Sequence, residues 1–320
     1  MNTKSRKQSL LKYSNIIVLA VAIVVLFVVM GSLQPAFLKP MYIFSQLTFV
    51  SETSLIGLGM TMVILMGCID LSVGSVMALS CVVLGMLCEA GVPGALAVII
   101  TLFSGAACGL LNGILVCHIN VAPMIVTLGT MGLYRGIAMG TTGGNAKKIS
   151  PDLYFLGSGK IGIVPFSFII AVAFYAFTIF IIYRTNMGMH IKMIGFNAKA
   201  SRFAGVNVNN EKIRVYIISA LLSSLMGVLY SCRVTSAKAD YGTGYEMNAI
   251  TIAVFGGAVM SGGKASFIGS FIATTIIVLL KQGLTLIGVQ TDIQSVIVGI
   301  ILIAAVAFNT FVDRKTNNAR

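Results

Sequence analysis

Ten largely apolar stretches follow one another along this chain, and most are long enough to form a helix that crosses a membrane. They lie at residues 16–33, 44–66, 71–89, 93–117, 122–140, 162–183, 213–235, 246–260, 265–281 and 293–311. A membrane-spanning helix needs about 20 apolar residues, and only 10% of this chain is charged, whereas soluble domains average about a quarter. The sequence therefore predicts an all-α polytopic membrane protein of about ten transmembrane helices, organised as one domain over residues 1–320.

The basic residues between these stretches predict how the chain is oriented in the membrane. Segments assigned to the cytoplasm hold Lys4, Arg6, Lys7, Lys12, Arg184, Lys192, Lys199, Arg202, Lys212, Arg214, Lys264, Arg314, Lys315 and Arg320. Segments assigned to the outside hold Lys39, Lys147, Lys148, Lys160, Lys238 and Lys281. Because Lys and Arg accumulate in cytoplasmic loops, we expect both chain termini in the cytoplasm.

Motifs for catalysis, metal binding and nucleotide binding are missing from the sequence. The six cysteines form no C-x-x-C pair, and His118 and His190 have no partner at metal-binding spacing. Neither glycine-lysine segment, at 157–160 or 262–264, has the upstream glycine and the following Ser or Thr of a phosphate-binding loop. The basic residues form no stripe interleaved with aromatics, which argues against nucleic acid. We therefore expect neither enzymatic activity nor a cofactor on this chain.

Asp70 is the most informative acidic residue, because it lies at the break between the second and third apolar stretches, beside Ser72. An acid in lipid costs a few kcal/mol on insertion scales, so Asp70 should face protein or water. One interpretation is an N-cap for a helix that begins at Leu71. The other is a place on a water-lined path through the membrane, and the two interpretations are compatible.

A second set of polar residues has the same two interpretations. Glu246 opens an apolar stretch after the glycine-containing segment 241–245, where it either caps a helix or lines a gate at the outer mouth. Asn112, Thr127, Thr130 and Asn248 lie within apolar stretches, where they either line a polar path or satisfy a neighbouring helix.

Two glycine patterns suggest how the helices pack. Gly105, Gly109 and Gly113 recur every fourth position and predict a flat strip for close helix contact, with contact to a substrate as the alternative. Residues 71–78 and 266–273 resemble each other, and each follows a glycine-containing interruption. Transporters are often built from two related halves with broken helices, although so short a match also arises by chance.

The predicted cytoplasmic segment 184–214 contains a short helix with clear boundary signals. Asn197 is a good N-cap and Gly205 a good C-terminal stop. The enclosed residues include Ala198, Lys199, Arg202, Phe203 and Ala204. A helix of two turns is marginal alone in water, so it either packs on a cytoplasmic partner or lies in a solvated or headgroup-contacting loop.

At this point the motifs resemble those of a known family. The run 59–75, with its Met66-Gly67-Cys68-Ile69-Asp70-Leu71-Ser72 centre, looks like the signature of the ribose/xylose/arabinose-type permease subunits of ABC importers. The resemblance continues in order along the chain at 195–197, 204–207, 242–246, 262–264 and 283–289. It covers nearly the whole chain and is specific for the family, although not for one sugar.

The resemblance implies a multi-pass protein of the bacterial inner membrane that works with several partners in the lipid bilayer. These are a second permease copy or a related chain, an ABC ATPase that is often a tandem polypeptide and binds ATP and Mg²⁺, and an extracytoplasmic sugar-binding protein. The residues Asn197 to Gly205 would then be the coupling helix that docks on the ATPase. The chain itself would be a transport subunit without a cofactor of its own.

The sequence also departs from the family pattern. Cys68 stands where glycine is common, Met189 replaces a usual arginine, and Ser201 interrupts a common pair of alanines. Asn248 stands where ribose-type relatives often have aspartate, which leaves the sugar open. An ion-gradient-driven secondary transporter remains the alternative at this stage, and it would place ionisable coupling residues near the middle of the membrane.

Overall fold

The computed structural model describes the backbone of residues 3–119 and 121–317 and the side chains of residues 17–119 and 121–307. Within these ranges the chain forms α1 (Thr3–Leu33), α2 (Pro40–Leu65), α3 (Val73–Glu89), α4 (Gly94–His118), α5 (Pro123–Thr142), α6 (Tyr154–Ser158), α7 (Phe166–Arg184), α8 (Asn186–Phe196), α9 (Ala198–Phe203), α10 (Val208–Val234), α11 (Tyr245–Phe255), α12 (Phe267–Leu286) and α13 (Thr291–Asn317). Two small antiparallel pairs join β1 (Lys147–Lys148) to β4 (Ser236–Ala237) and β2 (Lys160–Ile161) to β3 (Val164–Pro165).

The ten predicted stretches all become helices, in order, as α1 to α5, α7 and α10 to α13. Among the described residues, α2, α4, α7, α10 and α12 are long and apolar enough to cross a membrane. Helix α11 has only 11 residues, and at 1.5 Å per residue it is about 16 Å long, half the hydrocarbon thickness. The chain is thus an all-α membrane protein, while the number of crossings stays a prediction.

The orientation of the termini also stays a prediction. The basic residues at the two chain ends, Lys4, Arg6, Lys7, Lys12, Arg314, Lys315 and Arg320, lie outside the described side chains.

Helix α2 is the most enclosed of the long helices. Helix α10 packs along α2 and also against α3 and α4. The glycine strip of α4 makes the contact with α10 close. A Cβ atom on Gly109 would lie 2.7 Å from Cβ of Ala220, and one on Gly113 would lie 2.8 Å from Cα of Ile213. Glycine at these positions therefore lets the two backbones approach, and the packing interpretation of the strip is confirmed.

Two interrupted helices meet at one point in the bundle. One interruption separates α2 from α3 and the other separates α11 from α12. The N–H of Gly263 donates to the carbonyl of Leu65 across this point, at 2.9 Å. Gly67 and Gly262 face each other there with φ angles of +72° and +89°, a backbone conformation that favours glycine. The resembling segments 71–78 and 266–273 form the starts of α3 and α12 that follow the two interruptions.

The glycine strip of α4 generates a stability prediction. Gly109→Leu forces a side chain into the contact with α10, so the free energy of unfolding should fall by about 1–3 kcal/mol. The measurement is the thermal unfolding midpoint of the detergent-solubilised protein. Gly299→Leu is the control, since Gly299 has open space around it, and equal midpoints for the two variants would contradict the packing role.

Candidate functional site

The predicted short helix exists as α9, and the residues predicted to start and stop it, Asn197 and Gly205, lie at its two ends. The Asn197 side chain accepts a hydrogen bond from the N–H of Ala200 at 3.0 Å, as an N-cap does. Gly205 follows the helix with φ at +84°, and its N–H donates to the carbonyl of Arg202 at 3.0 Å. The predicted cap and stop are therefore confirmed.

Most of the surface of α9 points away from the rest of the chain. Ser201 is the buried residue of the helix, whereas the Phe203 side chain is 93% exposed. Lys199, Arg202 and Ala204 are exposed as well, and Ala198 is half-buried. A well-capped helix thus presents one phenyl ring and two basic side chains to its surroundings, a combination suited to a protein partner.

An ionic cluster that the sequence did not predict ties α8 to α10. Glu211, which is almost fully buried, accepts from Nδ1 of His190 at 3.1 Å and from Arg214 at 3.2 Å. His190 therefore lies in α8 and has Glu211 as its partner. Since His190 and Glu211 are 21 positions apart, no local spacing rule could have joined them.

Lys192 adds a second tie between α8 and the end of α7. Its ammonium donates to the carbonyl of Ile182 at 3.0 Å and lies 4.2 Å from the ring centroid of Tyr183. Partial burial lowers the pKa of Lys192, because desolvation disfavours the charged amine.

Gly195 connects the segment 184–214 to the two helix interruptions. A Cβ atom on Gly195 would collide with the carbonyl of Leu65 and the N–H of Gly263. A Cβ atom on Gly262 would in turn lie 2.8 Å from the carbonyl oxygen of Gly195. Three backbone segments therefore meet with no side chain between them, two residues before α9 begins its capping turn.

Asp70 and Ser72 belong to a buried hydrogen-bonded network at the first interruption. Asp70 Oδ1 accepts from the N–H of Ser72 at 2.9 Å and from its hydroxyl at 2.6 Å. Asn112 donates to the Ser72 hydroxyl at 2.7 Å, and the Tyr134 hydroxyl donates to Asn112 Oδ1 at 3.0 Å. Helix α3 begins at Val73, so Asp70 holds the N-cap residue Ser72 rather than capping a helix that begins at Leu71.

Thr127 and Thr130 lie on α5 next to this network. The Thr127 hydroxyl donates to the carbonyls of Pro123 at 3.0 Å and Ile69 at 3.3 Å. The Thr130 hydroxyl donates to the carbonyl of Thr127 at 3.3 Å. Both side chains are buried, so in this conformation they satisfy backbone groups of their own and a neighbouring segment.

Glu246 and Asn248 lie apart from the network, in the first turn of α11. Asn248 Oδ1 accepts from the ammonium of Lys281 at 2.9 Å. The predicted apolar stretch 265–281 ends at Lys281, whereas α12 continues to Leu286, so Lys281 lies inside the helix rather than at its end. Glu246 is half-buried, and its Oε2 lies 2.6 Å from the place where a Cβ on Gly74 would be.

A buried ion pair joins α2 to the last turn of α10. Arg233 Nε and Nη2 donate to the two carboxylate oxygens of Glu52 at 2.7 and 3.0 Å. The guanidinium also lies over the rings of Phe49 and Tyr230, at 4.6 and 5.0 Å from their centroids. The bidentate geometry gives this pair both strength and a fixed direction.

Metal-ligating side chains do not gather anywhere in the described part of the chain. No group of three or more His, Cys, Asp or Glu residues has the geometry to hold an ion there.

Comparison with known proteins matches residues 42–306 to the family described as branched-chain amino acid transport system / permease component. The chain belongs to this permease family. The ribose import permease protein RbsC of Bacillus subtilis (strain 168) is 35% identical over 294 residues, covering 91% of this chain and 90% of the relative. RbsC of Escherichia coli (strain K12) is also 35% identical, over 92% of both chains.

The autoinducer 2 import system permease protein LsrD of Salmonella paratyphi B is 34% identical over 92% of this chain and 91% of its own length. No solved structure matches the chain significantly. The resemblance found in the sequence motifs is therefore confirmed by relatives that span nearly the whole chain.

The Glu52–Arg233 pair generates the second prediction. Glu52→Gln removes the negative charge and leaves a mostly buried guanidinium without compensation, so the free energy of unfolding should fall by about 3 kcal/mol. Glu89→Gln is the control, because Glu89 pairs with Lys147 at an exposed site, where ion pairs contribute little. Thermal midpoints in detergent measure both, and a Glu52 variant as stable as the Glu89 variant would disprove the structural role.

Proposed function

We propose that this chain is the permease subunit of an ATP-driven, binding-protein-dependent importer for a monosaccharide such as a ribose-like pentose. The observation that carries the proposal is the similarity to import permeases over about nine-tenths of both chains. The chain is a transport subunit rather than an enzyme, and it carries no cofactor. ATP and Mg²⁺ bind to a separate ATPase subunit.

Helix α9 is the proposed docking element for that ATPase, through Asn197 to Gly205. Its support is the exposed ring of Phe203 on a helix whose two ends are fixed by hydrogen bonds. The flanking basic residues Lys199 and Arg202 suit an acidic rim on the partner. Arg202 is already oriented, since it donates to Asn209 Oδ1 at 2.9 Å.

Transport by alternating access follows from the way the cytoplasmic segment meets the helix interruptions. Gly195 is only three positions before α9 along the chain, so a movement of α9 should also move Gly195. Gly195 lies against both interruptions, at Leu65 and at Gly263. Such packed junctions switch between discrete arrangements rather than deform continuously. The sugar shifts the population of those arrangements only through its different affinity for each.

The remaining partners complete the proposal. A second copy of this chain, or a paralogue, forms the pathway with it in the bacterial inner membrane, with about ten crossings per chain and both termini in the cytoplasm. An extracytoplasmic sugar-binding protein delivers the substrate. The polar residues Asp70, Ser72, Asn112, Thr127 and Thr130 near the first interruption, and Glu246 and Asn248 in the first turn of α11, are the candidates for the path or its gate.

The docking proposal predicts a specific loss. Phe203→Asp places a charge where the ring would enter an apolar pocket of the ATPase, so the ATPase should no longer copurify from mild detergent and sugar-linked ATP turnover should stop. The matched control is Phe155→Asp, because Phe155 is 53% exposed and lies in α6, on the predicted external side. Both variants should insert into the membrane, and retention of the ATPase by Phe203→Asp would reject α9 as the docking helix.

The substrate class is tested by uptake into cells that carry or lack this chain. Radiolabelled ribose, xylose, arabinose and autoinducer 2 cover the classes suggested by the motifs and the relatives, and leucine covers the description of the family. Uptake of a sugar that survives collapse of the proton gradient with ATP maintained supports the proposal. Uptake that stops under those conditions would support the ion-driven transporter instead.

A further inference from the structure

The segment between β4 and α11 is not helical, and it descends along α3 into the bundle. At its start, a Cβ atom on Gly85 would lie 2.9 Å from Cβ of Ala237. Near its end, the carbonyl of Gly242 packs against Gly74 in the first turn of α3. Gly74 and Gly85 lie on one helix, so the segment descends about 16 Å between these two contacts.

Arg135 holds this re-entrant segment, 238–244, against α5. Its Nη1 donates to the carbonyls of Ala239 and Tyr241, both at 2.6 Å. Arg135 is the thirteenth of the 20 residues of α5, so it lies near the middle of that helix. The guanidinium is also within electrostatic range of the carboxylates of Asp240 and Glu246. The arginine therefore satisfies backbone groups that no helix or sheet satisfies.

The outer side of the re-entrant segment is polar and uncovered by the chain. Asp240 and Thr243 are exposed, and Glu246 is half-exposed beside them. The neighbouring face of α5 carries Gly132 and Gly136, around which no atom of another segment lies within 4 Å. Irregular backbone and charged side chains at membrane depth are tolerated only where protein or water covers them, because lipid satisfies neither.

We propose that Arg135, Asp240, Thr243 and Glu246 form one wall of a water-filled path that carries a neutral, polyhydroxylated monosaccharide. Carboxylate, carbonyl and hydroxyl oxygens accept hydrogen bonds from sugar hydroxyls. Asp240 and Glu246 add negative charge to the surroundings of Arg135, and Lys238 is exposed on the same segment. The adjacent Gly132 and Gly136 of α5 add no side chain to this wall. This inference rests on the proposed function and adds to it the residues of the path.

Thiol labelling in the assembled transporter tests the wall. In the full chain with its six cysteines replaced, Thr243→Cys is compared with Phe177→Cys, a 60% exposed apolar position in the middle of α7. A charged, membrane-impermeant methanethiosulfonate needs a thiolate, which forms in water and not in lipid. Thr243→Cys should therefore react at least about tenfold faster than Phe177→Cys. Reaction of Thr243→Cys only with membrane-soluble N-ethylmaleimide would overturn the proposal.

Two further measurements test whether the path carries sugar and whether Arg135 holds the re-entrant segment in place. Labelling is done in membrane vesicles that contain the assembled transporter. The sugar that these vesicles accumulate should slow labelling at Thr243→Cys, and unchanged labelling would overturn the sugar assignment. Arg135→Gln, added to Thr243→Cys, should alter the labelling rate severalfold while the rate at Phe177→Cys stays constant, since it releases the re-entrant segment. Copurification of the ATPase from these vesicles reports separately on the proposed function.

Discussion

The close approach of Leu65, Gly195 and Gly263 is the constraint on which the rest of the structure depends. Backbone groups at a helix interruption need partners, and inside a membrane water does not supply them freely. Here the N–H of Gly263 and the carbonyl of Leu65 satisfy each other, so the two interruptions stabilise each other. Side chains larger than hydrogen would separate the segments. The same contact places the capped helix α9 next to the point where both broken helices change direction.

Some polar groups inside this bundle are enclosed by other helices, whereas those of the re-entrant segment are partly uncovered. The enclosed groups hold helices together, and the uncovered ones remain available to bind a substrate. The Asp70–Ser72–Asn112–Tyr134 network and the Glu52–Arg233 pair are almost fully enclosed, and their donors and acceptors mostly match one another. Groups satisfied in this way hold helices in fixed positions. The re-entrant segment differs, since Arg135 satisfies its carbonyls from one side while its other side stays uncovered. Transport chemistry needs polar groups that remain available.

Local signals in the sequence predicted a large part of the structure. The ten apolar stretches became ten helices, and Asn197 and Gly205 mark the two ends of α9 as expected. Helix formation and capping depend on residues a few positions apart, so local sequence predicts them. Errors occurred at helix ends beside polar residues, as at Lys281 in α12. A lysine inside an apolar helix looks like a loop residue until its partner, Asn248 in α11, is known. That partner is 33 positions away, beyond any periodicity.

The sequence by itself determined that this chain is helical, lies in a membrane and carries a short capped helix between Asn197 and Gly205, since composition, helical spacing and capping are all local properties. Only the tertiary structure decided which polar groups meet. The partners of Glu52, Arg135 and Glu211 each depend on the relative depth and rotation of separate helices. The glycines on either side of Thr243 permit a re-entrant turn, but how far residues 238–244 descend along α3 is likewise decided by the tertiary structure. The depth of this segment in the bundle is set by its contacts with α3 and α5. That depth is what makes the segment a candidate wall of the proposed path.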